Sequence, residues 1–176
     1  IDIVSLANNH AFDCHGSGFS AVIRLLNDHG VRHFGAGITA DRAHEPIITT
    51  EGSIRIGWLG YVADDTHPSH KPSPVQPGAN PFHLESALTD VSELCQRVDH
   101  VIVSIHWGVE YCHLPSPDQV TAARTLVEAG ASVILGHHAH VIQGIERHAS
   151  GVIAYGLGNA ITLDLAIDGR LAIRQS

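Results

Sequence analysis

Apolar residues fall in short blocks bounded by glycine and polar breaks, a pattern of buried strands. Between the blocks lie stretches whose apolar positions recur every three or four residues, as in helices that cover a sheet. Ile1 to Leu6 alternates as a strand and breaks into Ala7-Asn8-Asn9-His10. Phe19 to His29 places Val22, Ile23, Leu25 and Leu26 on one face and stops at Gly30, and Val31 to Gly35 is a second short strand. Strand, helix, strand predicts a βαβ unit with its two strands parallel in one sheet. Ile47 to Thr50 and Ser53 to Tyr61 flank Glu51-Gly52 and predict a β-hairpin.

The second half repeats the alternation. Leu84 to Val98 is amphipathic through Leu88, Val91, Leu94 and Cys95, and Val101 to Ile105 is an uncharged strand ending in His106-Trp107-Gly108. Ser116 to Glu128 carries a helix start signal, with Ser116 as N-cap, Pro117 at the first position and Gln119 at the capping-box position. Ala131 to Leu135 is a buried strand between Gly130 and Gly136, Val152 to Leu157 is another, and Leu163 to Ile173 predicts a closing hairpin turning at Asp168-Gly169. Residues 63–83 contain five prolines and three histidines, so they predict a long loop, either a flap or a disordered excursion, with His67, His70 and His83 solvated. No internal repeat is present, and this loop is the sole candidate boundary. The fold class is α/β.

Composition narrows the function. At 176 residues with 44% hydrophobic content, one domain with a real core is expected. A net charge of −8, with ten scattered Lys and Arg, leaves no basic stripe for nucleic acid or an anionic membrane surface. There is neither a membrane-length apolar run nor a charged leader, and the chain opens directly on a strand, which suggests that it begins inside a larger domain. Cys14, Cys95 and Cys112 are widely spaced without a CxxC pair, so neither a disulfide framework nor a cysteine zinc site is indicated. Cys95 is expected to be a small core residue. Cys14 and Cys112 lie near the chemistry below.

That chemistry is carried by imidazole. His137, His138 and His140 follow the strand at 131–135, His106 follows the strand at 101–105, and Asn9-His10 follows the first strand. Parallel strands deliver their C-terminal ends to one edge of a sheet, so these groups should converge. In an extended segment His138 and His140 would share a side and His137 would face away. Imidazole suits zinc, iron, manganese and related ions, and an Asn oxygen can complete such a shell, but no carboxylate pair accompanies them.

Longer motifs carry a resemblance. Ser5-Leu6-Ala7-Asn8-Asn9-His10 with Asp13, Gly35-Ala36-Gly37, Ser104 to Tyr111, Gly136 to Val141 with Gln143, and Tyr155 to Asn159 resemble, in order and over nearly the whole chain, the CapA-type poly-γ-glutamate capsule biosynthesis family. That family is similar to the calcineurin-like metallophosphoesterases, whose motifs are Asp-x-His, Gly-Asp, Gly-Asn-His, a lone His and Gly-His-x-His. The resemblance implies layers of mixed β-sheet flanked by helices, in one domain over 1–176 that lacks its N-terminal part. By that similarity Asn9, His106, His138 and His140 would be metal ligands, His10 the catalytic acid and Asp13 the residue that orients it. Asn8, His137, Trp107, Glu110 and Asn159 would line the pocket. Also implied are two divalent ions (Mn, Fe or Zn) bridged by carboxylates upstream of Ile1, and a phosphoester or anionic polymer as substrate. Membrane-associated polymer-synthesis partners at the cell envelope would complete the setting. The rival expectation is an envelope protein that assists export or anchoring of the polymer without catalysis.

Overall fold

The computed structural model describes residues 1–66 and 76–160 fully, and residues 165–167 and 170–172 by their backbone. Its centre is a six-stranded sheet. In chain order its strands are β4 (Ile47–Glu51), β5 (Ile54–Val62), β7 (His100–His106), β8 (Val133–His137), β9 (Ile145–His148) and β10 (Gly151–Ala154). The spatial order is β4-β5-β7-β8-β10-β9, with β5, β7, β8 and β10 parallel and the two edge strands antiparallel to their neighbours. The expected hairpin is β4-β5, with Gly52 at φ +62 supplying the turn.

Parallel neighbours need crossovers, and the amphipathic stretches provide them. Helix α3 (Leu84–Cys95) links β5 to β7, and α4 (Pro117–Glu128) links β7 to β8. Both pack on one face: Ala87, Val91 and Leu94 of α3 and Ala122, Ala123, Leu126 and Val127 of α4 close over Leu59, Tyr61, Val101, Val103, Ile105, Ile134 and Ile153. The start of α4 is as its sequence predicts, with the Ser116 hydroxyl accepting from the Gln119 N–H and the Gln119 side chain accepting from the Ser116 N–H.

The opposite face is covered by the N-terminal unit. Strands β1 (Ile3–Ser5) and β2 (Arg32–Phe34), joined by α1 (His15–Asp28), are parallel as the βαβ pattern requires. They form a two-stranded sheet of their own, so the expectation of a single sheet is corrected. Phe12 stacks on Phe19, their ring centroids 4.3 Å apart, and both join Ala36, Val62 and Ala79 in a second core.

Several boundaries also move. Helix α1 begins at His15, not Phe19, and runs through Gly16-Ser17-Gly18, where a Cβ at Gly18 would sit 2.3 Å from the Cys14 Cβ. A one-turn helix α2 (Ala40–His44), capped by Thr39, and strand β3 (Ala36–Gly37) were not predicted, nor was β9. Strand β8 ends two residues later than expected, and β10 ends three residues earlier, before Tyr155. The ends of the 63–83 segment are not loose. A 3-10 turn spans Asp64–Thr66, β6 (Gly78–Ala79) pairs with β3, and Pro81 bridges to Val62. His83 is exposed, as expected, whereas His67 and His70 lie outside the described residues. Strands β11 (Leu165–Ile167) and β12 (Arg170–Ala172) form the closing antiparallel hairpin, and its turn at 168–169 lies outside the described residues. Cys95 is half-buried, its thiol donating to the Gly130 carbonyl at 3.3 Å.

Candidate metal centre

The C-terminal ends of three adjacent parallel strands stand in register, Val62 beside His106 and His106 beside His137. Paired residues of neighbouring strands point to the same face. Val62 belongs to the core under the β1-α1 unit, so His106 and His137 turn toward that unit, whose β1 strand ends in the segment carrying Asn9. The Asn9 Oδ1 lies 2.8 Å from His106 Nε2, and the Asn9 amide nitrogen donates to the Thr66 carbonyl at 2.8 Å, which fixes which end of the amide faces the imidazole.

The third contribution comes from a tight reversal after β8. The expectation that His138 and His140 share a side apart from His137 is met, since the two fall in one group with Glu110 that does not include His137, but the extended chain on which it rested is corrected. The strand stops at His137, and His138 and His140 adopt left-handed backbone at φ +99 and +59. The reversal folds His138 back so that its Nδ1 lies 3.0 Å from His106 Nε2. Both flanks of His106 are thereby filled, because its Nδ1 lies 2.7 Å from His137 Nδ1, and His137 Nε2 lies 2.9 Å from the Ser104 hydroxyl. His140 bonds through Nδ1 to Asn159 Oδ1 at 2.8 Å and stacks on Tyr111 with centroids 5.8 Å apart. Candidate ligand atoms of Glu110, His138 and His140 lie within 4.8 Å of one another, a His/Glu group able to hold a metal ion.

Burial above all keeps the rings of His106, His137 and His138 neutral. Burial first, then the neighbouring His137, His138, His140 and His10, pushes the His106 pKa down to about 2. Burial and His138 push His137 down to about 4. His138 is also lowered, mainly by burial, against an opposing pull from the Glu110 carboxylate. A neutral imidazole keeps the lone pair that a cation needs.

The remaining sequence candidates are distributed as follows. His10 is exposed and bonds through Nδ1 to Asp13 at 2.8 Å. Asn8 is engaged locally, its Oδ1 accepting from the His10 N–H. Trp107 is buried and donates its indole N–H to the Tyr155 carbonyl at 3.2 Å. Sequence reasoning passed over Asp65 and Thr66. Asp65 accepts from the Gly108 N–H at 3.1 Å and its charge acts on His138, while Thr66 anchors Asn9. Their signal was available, since Asp64-Asp65-Thr66 follow β5 at the same sheet edge as the histidines, but the prolines beyond them directed attention to a loop.

The profile of the family described as bacterial capsule synthesis protein PGA_cap matches residues 1–163. The capsule biosynthesis protein CapA of Bacillus anthracis is 31% identical over 163 residues, covering 90% of this chain and 39% of that protein. The PGA biosynthesis protein CapA of Bacillus subtilis is 32% identical over 160 residues, covering 90% and 42%. The chain thus spans less than half the length of these relatives. In overall fold it is similar to a candidate 5′-nucleotidase of Staphylococcus aureus solved with α-ketoglutarate, with a TM-score of 0.62 at 17% identity over 90% of this chain and 32% of the other. The chain therefore shares with that protein a fold of mixed sheets flanked by helices. On the profile match and these likenesses, the chain belongs to the bacterial capsule synthesis protein family PGA_cap.

Proposed function

We propose that this chain supplies the metal-binding half of a metal-dependent hydrolase that acts on phosphoesters during synthesis of a capsule polymer. The observation that carries the reading is the convergence of Asn9 Oδ1, His106 Nε2 and His138 Nδ1, with separations of 2.8 and 3.0 Å to the central nitrogen. Three neutral N and O donors, with Glu110 and His140 beside them, suit borderline ions such as manganese, iron or zinc. Asn9, His106 and His138 would hold one ion and His140 would face a second. Such ions, when bound, lower the pKa of water and polarise a phosphoryl oxygen.

This chain's own residues would do the rest. A carboxylate only accepts hydrogen bonds when ionised, so Asp13 holds the proton of His10 on Nδ1 and leaves Nε2 free. His10 in its charged form then donates from Nε2 to a leaving group. Asp65, through the Gly108 N–H, fixes the turn that follows His106. The setting at the cell envelope and an anionic polymer as partner come from the family. Among the described residues no helix is long and apolar enough to cross a membrane.

The test is hydrolysis of a phosphomonoester and phosphodiester panel by the full-length protein with manganese, in parallel with metal binding by calorimetry. Activity that is lost with chelator and in His106→Ala supports the proposal. Binding without turnover on any substrate would instead favour the accessory reading, in which the protein assists export of the polymer. The capsule-synthesis names of its relatives support that reading equally well.

A further inference from the structure

We infer that His137 is a positioning residue whose hydrogen bond to His106 sets the proton on that ring and so controls cation affinity. The inference rests on the metal-site reading above, and no ligand role is left for His137. Both its ring nitrogens are engaged, one by His106 at 2.7 Å and the other by Ser104 at 2.9 Å. His137 is not part of the group formed by Glu110, His138 and His140.

Two nitrogens 2.7 Å apart share one proton, so one ring donates and the other accepts. Which does which follows from the far side of His106. Two groups face His106 Nε2: the Asn9 oxygen at 2.8 Å, which can only accept because the Asn9 amide nitrogen is committed to Thr66, and His138 Nδ1 at 3.0 Å, which accepts when its own proton lies on Nε2. Without a cation, His106 therefore carries its proton on Nε2, its Nδ1 accepts from His137 Nδ1–H, and the Ser104 hydroxyl donates to His137 Nε2. A cation held by His106 Nε2 requires a bare lone pair there. The His106 proton must then lie on Nδ1 and be given to His137 Nδ1, and the His137 proton must lie on Nε2 and be given to Ser104.

Both rings invert, and the number of protons does not change: the one that leaves His106 Nε2 is matched by one gained at His137 Nε2. Only Ser104, whose hydroxyl can donate or accept, allows the chain to run in either direction. Second-sphere partners of this kind orient a ligating histidine and raise its basicity, and their removal typically costs about 10- to 100-fold in metal affinity. The partner here is another imidazole, which lets the same contact serve the metal-free and the cation-bound forms.

The test uses full-length protein, with zinc as a diamagnetic probe. Long-range 1H–15N NMR reads the tautomer of each ring, and calorimetry reads affinity. Expected are Nε2–H on His106 and Nδ1–H on His137 without zinc, and the reverse on both rings with it. His137→Ala should weaken zinc binding about 10- to 100-fold, and His137→Gln, whose amide oxygen can accept from His106 Nδ1–H, should recover most of the loss. Wild-type protein that binds zinc with both tautomers unchanged overturns the inference alone. So does a folded His137→Ala, judged by its melting, that binds zinc as tightly as wild type. Wild-type protein that binds neither zinc nor manganese overturns the inference together with the metal-site reading.

Discussion

Gly136 offers the most direct test of how the scaffold holds the site. It lies in β8 immediately before the histidines, and a Cβ there would fall 1.9 Å from the Tyr155 carbonyl oxygen and 2.6 Å from the Trp107 indole nitrogen. Both are fixed atoms. The oxygen is backbone that already accepts from Trp107 at 3.2 Å, and Gly136 itself accepts from the Leu157 N–H at 2.9 Å. Gly136→Ala must therefore push the 155–157 segment off β8. Overpacking of a well-filled core costs about 1–3 kcal/mol, and leaving the Trp107 N–H without its acceptor adds about 1–3 kcal/mol, so a total of about 4 kcal/mol is expected. At an unfolding entropy of about 2.1 cal/mol/K per residue, a chain of 176 residues would lose roughly 10 °C in Tm. Gly144→Ala is the control, because nothing lies within 4 Å of a Cβ at that position. Calorimetric melts of the two variants with chelator present decide the matter. A Gly136→Ala protein melting within 2 °C of wild type (roughly 1 kcal/mol on the same conversion) would refute the packing argument.

Three further outcomes are expected. His106 and His137 titrate in the fold at about 2 and about 4, below their ordinary value of 6.5. The unfolded chain thus takes up more protons below pH 6.5, and stability present above that pH is lost as the pH falls, by on the order of 2 kcal/mol per ring at pH 5. Denaturant titration of metal-free protein should show this, and His137→Gln should flatten the dependence; an unchanged slope in that variant would contradict it. Ser116→Ala removes the hydroxyl that accepts from Gln119 at the start of α4 and should cost about 1 kcal/mol, seen as a lower urea midpoint at constant m. Manganese at about 100 times its dissociation constant should stabilise the folded state by about 2.7 kcal/mol, and His138→Ala should abolish that shift; equal protection in the variant would move the ion elsewhere.

What could be read from the chain was whatever its local chemistry decides. The capping box at Ser116, the glycine turn at Gly52 and the uncharged run through β7 require no knowledge of distant residues, and each appears where expected. His106 does meet Asn9 as expected, but the reason differs: β1 belongs to its own sheet, and packing of that unit over the face of the six-stranded sheet makes the contact. What escaped depends on tertiary neighbours. Strand β9, half-exposed with Glu146, Arg147 and His148, exists because β10 pairs with it. The reversal at His138 was invisible because a non-glycine residue at positive φ is disfavoured, of order 1–3 kcal/mol, and only packing around the imidazoles holds it there. His137, by contrast, meets His106 through ordinary pairing of β7 with β8, in which the two are register partners.

The antiparallel returns at both margins of the six-stranded sheet have a consequence for behaviour in concentrated solution. Unpaired strand edges act as templates for other chains. Here the parallel interior is never presented, and β9 borders the solvent with an acid, a base and an imidazole in succession, tied inward by Arg124 to Glu146 and Glu128 to His148. A second molecule approaching that margin would have to strip those charges of water before any ladder could form, so this side of the protein resists fibrillar association.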